Sequence, residues 1–413
     1  MFNLEFDADP ALKKAYGNFM RQLNTWDSEG TTPMLASEDI RFALELKRQH
    51  WKRLGLDVHQ QLGNIKTANK DIPSVSYSDR IFVNHIVGTT KMRSTKISRG
   101  GQKIYDQTDE IATSVVIQQL KKDTQPSPDM TMSCPHCGAP ATLAQLENCC
   151  PFCGTGFIME ELYPKVTNVF FELNQNSDSK KSRRVLLICM GAGVISMLLF
   201  YLGVKLMFPG DTISLSGMIL AGLLLGVIAW VVSKFFGVLA KMGKDLRGAG
   251  KVGKSLSFRS KIRAIDPEFS TEHFRDRAMN LFRIAAFSED PEEFTSCNCR
   301  LPDKWDPVLD ATLKNFGVNK YRIDGNDCLV DLTLYTDCLI YKKGKVKSKA
   351  KNYDLVLHKK ITEPTDLGFS VKAVSCPSCS GSFDAEQVRC CPYCGNDYDL
   401  AEHDWVLMDI REN

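Results

Sequence analysis

The chain predicts none of the common catalytic signatures: no nucleophile elbow, phosphate loop, His-Glu-x-x-His helix or dinucleotide fingerprint is expected. Any enzymatic activity would have to sit in a fold pocket, and the chain is not expected to be an enzyme. Strong net charge is also missing. At +3 over 413 residues, composition gives no reason by itself to expect a nucleic-acid partner. The first residues, Met1-Phe2-Asn3-Leu4-Glu5-Phe6-Asp7, are acidic where a secretory leader or an Arg-rich targeting helix would be basic, which predicts neither. With 43% hydrophobic and 24% charged residues, two or three ordinary folded domains are expected.

Cysteine, by contrast, is abundant and patterned. Of fifteen cysteines, Cys134, Cys137, Cys150 and Cys153 form one quartet, and Cys376, Cys379, Cys391 and Cys394 form another. The flanks repeat too: Ser133-Cys134-Pro135-His136-Cys137 matches Ser375-Cys376-Pro377-Ser378-Cys379, and Cys149-Cys150-Pro151-Phe152-Cys153-Gly154 matches Cys390-Cys391-Pro392-Tyr393-Cys394-Gly395. Four thiolates complete a tetrahedral zinc ion and leave no position for water, so the expectation is two structural zinc ions in two zinc ribbons. Redox dithiols or disulfides are the alternative for the same spacing. Gly138, Gly154, Ser380 and Gly395 suit the tight turn after each knuckle. Cys149 and Cys390 adjoin a knuckle, and spacing alone prefers their neighbours as ligands; His136 is expected at the surface. Metal-bound thiolates imply a reducing compartment.

Two apolar runs occupy the middle. Residues 185–208 carry one charge, Lys205, and residues 213–232 carry none. At ~1.5 Å per residue each can cross a ~30 Å hydrocarbon core as a transmembrane helix. Gly222 with Gly226, and Ala192 with Ser196, would let the two helices approach closely. Lys180, Lys181, Arg183 and Arg184 precede the first run, and Lys241, Lys244, Arg247, Lys251, Lys254, Arg259, Lys261 and Arg263 follow the second, whereas the turn Pro209-Gly210-Asp211-Thr212 has no Lys or Arg. Positive-inside bias predicts a multi-pass cell-membrane protein with both termini cytoplasmic. That side of the membrane keeps thiols reduced. The basic linker, 241–264, either grips anionic headgroups or is a solvated segment that sets topology. Phe258 is its only aromatic, so a nucleic-acid partner is not expected.

The duplication extends past the cysteines. Strand-like runs stand before each ribbon, Arg80-Ile81-Phe82-Val83-Asn84-His85-Ile86-Val87 and Ser114-Val115-Val116-Ile117-Gln118-Gln119-Leu120-Lys121 in the first half. Cys328-Leu329-Val330-Asp331-Leu332-Thr333-Leu334-Tyr335 and Tyr353-Asp354-Leu355-Val356-Leu357-His358-Lys359 are their counterparts. One more follows each ribbon, at 166–171 and 405–410. Helical spacing of Leu12, Tyr16, Phe19, Met20 and Leu23, of Phe42, Leu46, His50 and Leu54, and of Phe274, Ala278, Leu281, Phe282 and Ala285 predicts helices ahead of the strands. The expected class is α+β. The expected order is an α+β domain over 1–130, a ribbon over 131–163, a last strand and linker over 164–179, the two spans, the basic linker, a second α+β domain over 265–374, a ribbon over 375–403 and a final strand over 404–413.

The stretch Asp266-Pro267-Glu268-Phe269-Ser270-Thr271-Glu272-His273-Phe274, after a basic segment, together with a Cys-pair ribbon followed by Asp404-Trp405-Val406-Leu407, resembles bacterial zinc-ribbon membrane proteins with a Tim-forty-four-like domain. That family is named for the anchor of the mitochondrial import motor. The resemblance covers 265–413 and implies a nuclear-transport-factor-two-like cone, helices wrapped by a curved antiparallel sheet; by internal analogy the first half is a second copy. Two spans, two ribbons and no presequence set this chain apart from the mitochondrial protein.

His273, Asp276 and His358 are expected to be surface or helix-cap residues, Cys297-Asn298-Cys299 a loop with two free thiols, and Cys189 a packing residue in a span. The expected function is a membrane-anchored, zinc-binding adaptor or scaffold for another protein, with transport or translocation implied by the resemblance. The alternative is a small-ligand, lipid-binding or enzymatic pocket at the cytoplasmic membrane face.

Overall fold

The computed structural model describes residues 3–5, 8–26, 33–64, 73–121, 127–134, 137, 139–146, 149–155, 164–173, 178–207 and 214–413. Met1, Phe2, Phe6, Asp7, Pro135, His136, Gly138 and the turn 209–212 lie outside them. Two compact units result, one made of Met1–Leu173 with Lys254–Asn413, the other of Asn174–Gly253.

In the first unit, helix α1 (Pro10–Leu23) starts where the Asp9 carboxylate accepts the Ala11 N–H at 2.7 Å and Pro10 occupies the first turn. It buries Leu12, Tyr16, Phe19, Met20 and Leu23, the predicted stripe. Helix α2 (Glu38–Arg53) buries Ile40, Leu44, Leu46 and Trp51. Strands β1 (Asn3–Glu5), β2 (Asp57–Asn64), β3 (Ser74–Ser78), β4 (Phe82–Arg99) and β5 (Gln102–Leu120) follow, then a small hairpin of β6 (Thr131–Ser133) and β7 (Pro140–Thr142), and β8 (Lys165–Leu173). We label the two helices of the other unit α3 (Asp178–Met207) and α4 (Leu215–Arg263). Helix α5 (Thr271–Phe287) is capped by Ser270, whose Oγ accepts the His273 N–H. Strands β9 (Val308–Asp324), β10 (Asp327–Lys342) and β11 (Lys345–Lys360), the short pair β12 (Val374–Ser375) and β13 (Ser382–Phe383), and β14 (Val406–Glu412) complete the chain.

The order of elements recurs. A long antiparallel hairpin, β4–β5 or β10–β11, leads to a Cys-rich hairpin and then to a strand that pairs back, β8 on β5 and β14 on β11. β2 and β3 both pair along β4, where the second half has the single β9 along β10. The registers shift at Val116/Ile117 in the first copy and at Val356/Leu357 in the second. Just beyond, Val166 bridges Ala36 and Leu407 bridges Cys297, both parallel. Two backbone hydrogen bonds flank each bridge: Ser37 N–H to Val166 O (2.8 Å) with Val166 N–H to Leu35 O (2.6 Å), and Asn298 N–H to Leu407 O (2.7 Å) with Leu407 N–H to Ser296 O (2.8 Å).

The halves do not stand apart as two domains. Ten strands of the described residues form one sheet, β1-β3-β4-β5-β8-β9-β10-β11-β14 with β2 on β4, joined at a parallel contact of Glu172 with Leu313. Joining covers the two sheet edges that separate domains would expose. The cores also interpenetrate: Leu309, Leu339 and Val346 pack in the first half's cluster and Leu46 in the second's. Trp51 Nε1–H donates to Leu309 O at 2.9 Å. Beside it Asp310 is buried with Lys47 Nζ 2.8 Å from Oδ1 and Arg93 Nη1 3.1 Å from Oδ2.

In the second unit, Leu186–Val204 of α3 and Leu215–Val232 of α4 are long and apolar enough to cross a membrane. They are only 6% and 11% buried, so their side chains do not fill a protein core. Leu187, Leu199, Leu220 and Leu224 stand largely exposed. The two helices touch through glycine. A Cβ on Gly226 would lie 2.5 Å from Met190 Cα, one on Gly222 2.7 Å from Val194 Cα, and one on Gly193 2.3 Å from Gly222 O. Gly222 and Gly226 are the predicted pair, but the facing backbone is at Gly193 and Met190 rather than at Ala192 and Ser196. Gly226→Leu should therefore push the helices apart and cost about 1–3 kcal/mol. The midpoint of SDS-induced unfolding reads this, and an unchanged midpoint would mean that the backbones are not in contact.

The basic stretch read as a linker is helical, since α4 runs on to Arg263. Phe258 and Ile262 are buried in the core of the first unit.

Candidate metal centres and an interior cavity

Each cysteine quartet closes on a point. Cys134 and Cys153 Sγ are 3.9 Å apart and Cys137 and Cys150 3.8 Å; in the second copy Cys376 to Cys394 and Cys379 to Cys391 are both 3.6 Å. Sulfurs at ~2.3 Å from a tetrahedral ion stand about 3.8 Å from one another, whereas a disulfide needs ~2.05 Å. All fifteen cysteines are free. The backbone explains the convergence. The N–H of Cys134 bonds to Ala139 O and that of Cys376 to Gly381 O, both at 2.9 Å. Gly154, Ser380 and Gly395 take positive φ of 71°, 59° and 75° as their N–H groups fold back onto Cys150, Cys376 and Cys391 carbonyls. Cys149 and Cys390 are exposed and outside the quartets, so Cys150 and Cys391 are the members of each adjacent pair that face the centre. The Cys379 and Ser378 backbone N–H groups lower the Cys376 thiol, while hydrogen bonds within the quartet raise Cys379 and Cys394. Two four-thiol sites that fit two metal ions are thus present.

The sites differ in support. Among the described residues, the first has a core of Ala141 and Leu146 besides its own cysteines. The second is seated on Phe383, Tyr398, Leu400 and Val406, and the fully buried Glu386 accepts a hydrogen bond from Ser296 Oγ. At the tip of each second knuckle one aromatic ring stands in solvent, Phe152 at 67% exposure and Tyr393 at 69%.

Away from the metal centres, the unit containing both halves encloses a polar cavity. His273, Asp276, Arg277 and Asn280 of α5 line it with Asn84 and Gln118 from the first half and Lys359, Asp404 and Trp405 from the second. His273 and Asp276 are therefore interior residues, not the surface or cap residues expected. Burial lowers the His273 imidazole to about 4, which leaves it neutral at pH 7, and raises the Asp276 carboxyl to about 6. Periodicity misses them because a polar stripe on a helix normally marks its wet face. His358 lies at the surface, its Nε2 3.0 Å from Asp327 Oδ1. Cys297 and Cys299 are free thiols in a connection outside the helices and strands, as expected, but both are buried, and burial pushes the Cys299 thiol up to about 12, so neither is a reactive thiol. Cys189 is half-buried in α3.

Gly248-Ala249-Gly250-Lys251-Val252-Gly253-Lys254-Ser255 has the spacing of a phosphate-binding loop, and its first six residues that of a dinucleotide fingerprint. Sequence reading missed both matches. Either motif needs a strand ahead and a loop whose N–H groups face the phosphate. Here the octapeptide lies within α4, which commits those amides to helical bonds, and Ser255 Oγ accepts the Val318 N–H at 3.1 Å.

Compared with models of known protein families, with curated proteins and with solved structures, the chain matches none.

Proposed function

We propose that this chain is a membrane-anchored zinc protein whose two metal-held knuckles dock another protein. The observation that carries the reading is the recurrence of one solvent-exposed aromatic, Phe152 and Tyr393, at the same place on each four-thiol site. A closed thiolate site has no open position for chemistry, and an exposed aromatic on a rigid turn is what interfaces use as an anchor. Two uncovered apolar helices supply the membrane anchor, spanning as a hairpin with both termini in the cytoplasm by the charge bias of their flanks. The repeated order of helix, hairpin, ribbon and returning strand supports the nuclear-transport-factor-two-like duplication, and with it the Tim-forty-four-like family and a transport or translocation role.

Co-purification from nuclease-treated native membranes tests the docking role. The intact chain should carry a stoichiometric protein partner, and a Phe152→Ala/Tyr393→Ala variant with full metal content should lose it. Absence of any protein partner from the intact chain would refute the adaptor reading.

A further inference from the structure

His273, Asp276, Arg277 and Asn280 fall three and four residues apart and so share one face of α5. That face meets the cavity between the halves rather than solvent, and several polar atoms there have no partner. Arg277, buried, lies with Nε 2.7 Å from Asp404 Oδ2 yet leaves Nη2 without an acceptor. Lys359 is 4% exposed, and its ammonium makes no hydrogen bond or ion pair among the described residues. On the other side, Asp276 Oδ1 pairs with Arg275 at 3.3 Å, while Asp276 Oδ2, Asn280 Oδ1 and Gln118 Oε1 are buried without a donor. The Gln118 amide is held in this orientation because its Nε2 already donates to Asn84 Oδ1 at 3.0 Å and to Leu367 O. Three carboxylates near the arginine each take a hydrogen bond from elsewhere, Asp39 from Ser370 Oγ at 3.0 Å, Asp404 from the Trp405 N–H at 2.7 Å and Glu386 from Ser296 Oγ. Two cationic side chains with donor capacity to spare, Lys359 beside the Asp366 carboxylate and Arg277 through Nη2, thus line one cavity with a cluster of buried oxygens lacking a donor. Buried polar groups are almost always paired, and leaving a charge unpaired is the costlier fault.

We propose that this cavity binds a small zwitterion of the amino-acid class, its anionic group held by Lys359 and Arg277 and its ammonium by Asp276, Asn280 and Gln118. Size agrees. The interior measures about 70 Å³, and at ~10–15 Å³ per water-sized position it takes roughly five to seven non-hydrogen atoms, the span from glycine to serine. A simple anion would leave the oxygen cluster unmatched, and a simple cation would leave Lys359 unmatched. The Asp276 carboxyl, raised to about 6 by burial, is still mostly ionised at neutral pH and able to hold an ammonium. The inference is independent of what docks on the knuckles.

Calorimetric titration of the full chain in detergent micelles with glycine, alanine and serine tests it, with acetate, inorganic phosphate and methylammonium as half-ligands. Saturable binding of at least one amino acid is expected, about tenfold or more tighter than any half-ligand. Lys359→Met should weaken it about tenfold or more, and Asp276→Asn should bring the amino acid level with acetate. Unchanged metal content and melting temperature certify both variants as folded, and if either fails to fold, the panel on the unaltered chain decides alone. No amino-acid binding at millimolar concentration, half-ligands binding equally well, or undiminished binding by folded Lys359→Met would each overturn the proposal.

Discussion

Withdrawing metal from the purified chain should release two zinc ions and unfold both cysteine hairpins, with unequal consequences for the rest of the protein. A structural zinc contributes on the order of 10–16 kcal/mol to the folding of a small finger. Among the described residues, Ala141 and Leu146 are the buried apolar partners of the first site's cysteines. Cys134→Ser/Cys137→Ser should therefore lose one zinc ion and gain protease sensitivity near the hairpin alone. Cys376→Ser/Cys379→Ser should lose the other and also lower the main unfolding transition. The second hairpin shares Val406 of β14 with its own core, and its Glu386 is buried against Ser296 after α5. Metal analysis by mass spectrometry with limited proteolysis separates these outcomes. Two metal-free quartets with fully reactive thiols in freshly purified protein would sink the zinc assignment.

Asp310→Ala should destabilise the sheet-bearing unit by about 3–5 kcal/mol, the cost of leaving buried charges without their partner. Lys47 and Arg93 converge on the two oxygens of this one carboxylate, and all three side chains are buried. A Lys47→Met/Arg93→Met/Asp310→Leu variant, which removes every charge together, should cost far less. Burial by itself would raise the Asp310 carboxyl, but Lys47 and Arg93 outweigh it and hold it well below the ordinary carboxylate range. Burial also pulls the Lys47 ammonium below its usual value; the Arg93 guanidinium, 3.1 Å from Oδ2, is the second charge that lowers the carboxyl. A depressed acid contributes stability in full above its unfolded value, near ~3.9, and loses it as pH falls toward the folded value. The stability gap between the parent and Asp310→Ala should consequently narrow below about pH 4. Denaturant midpoints measured from neutral to acid pH check both statements, and a neutral-pH cost below about 1 kcal/mol would show that the triad does not lock the halves together.

Much of the metal site was legible in advance because it is local. Two residues separate each knuckle pair, and the turn that follows three of the four is set by Gly154, Ser380 or Gly395 within a few residues, so spacing brings the sulfurs together. The apolar runs were equally plain, since a helix that is hydrophobic on all faces needs no partner to be recognised. The α+β class followed from the same local reasoning, helical stripes such as Leu12 to Leu23 ahead of β-rich runs. Even the choice between Cys149 and Cys150 was half-visible as spacing, and geometry made it definite.

What the sequence by itself determined is the cysteine knuckles, the apolar runs and those helices and strands with a clear period, because periodicity, capping and turn chemistry act over a few residues. What only the tertiary structure decided is how the halves meet. Leu367 N–H on Asp79 Oδ2 at 2.8 Å, Ser370 Oγ on Asp39, and Asn168 Nδ2 on the Asp276 carbonyl at 3.3 Å join residues 108 to 331 positions apart. No local pattern encodes such pairs. The polar face of α5 therefore looked like a surface until the other half of the chain covered it and turned His273, Asp276, Arg277 and Asn280 inward.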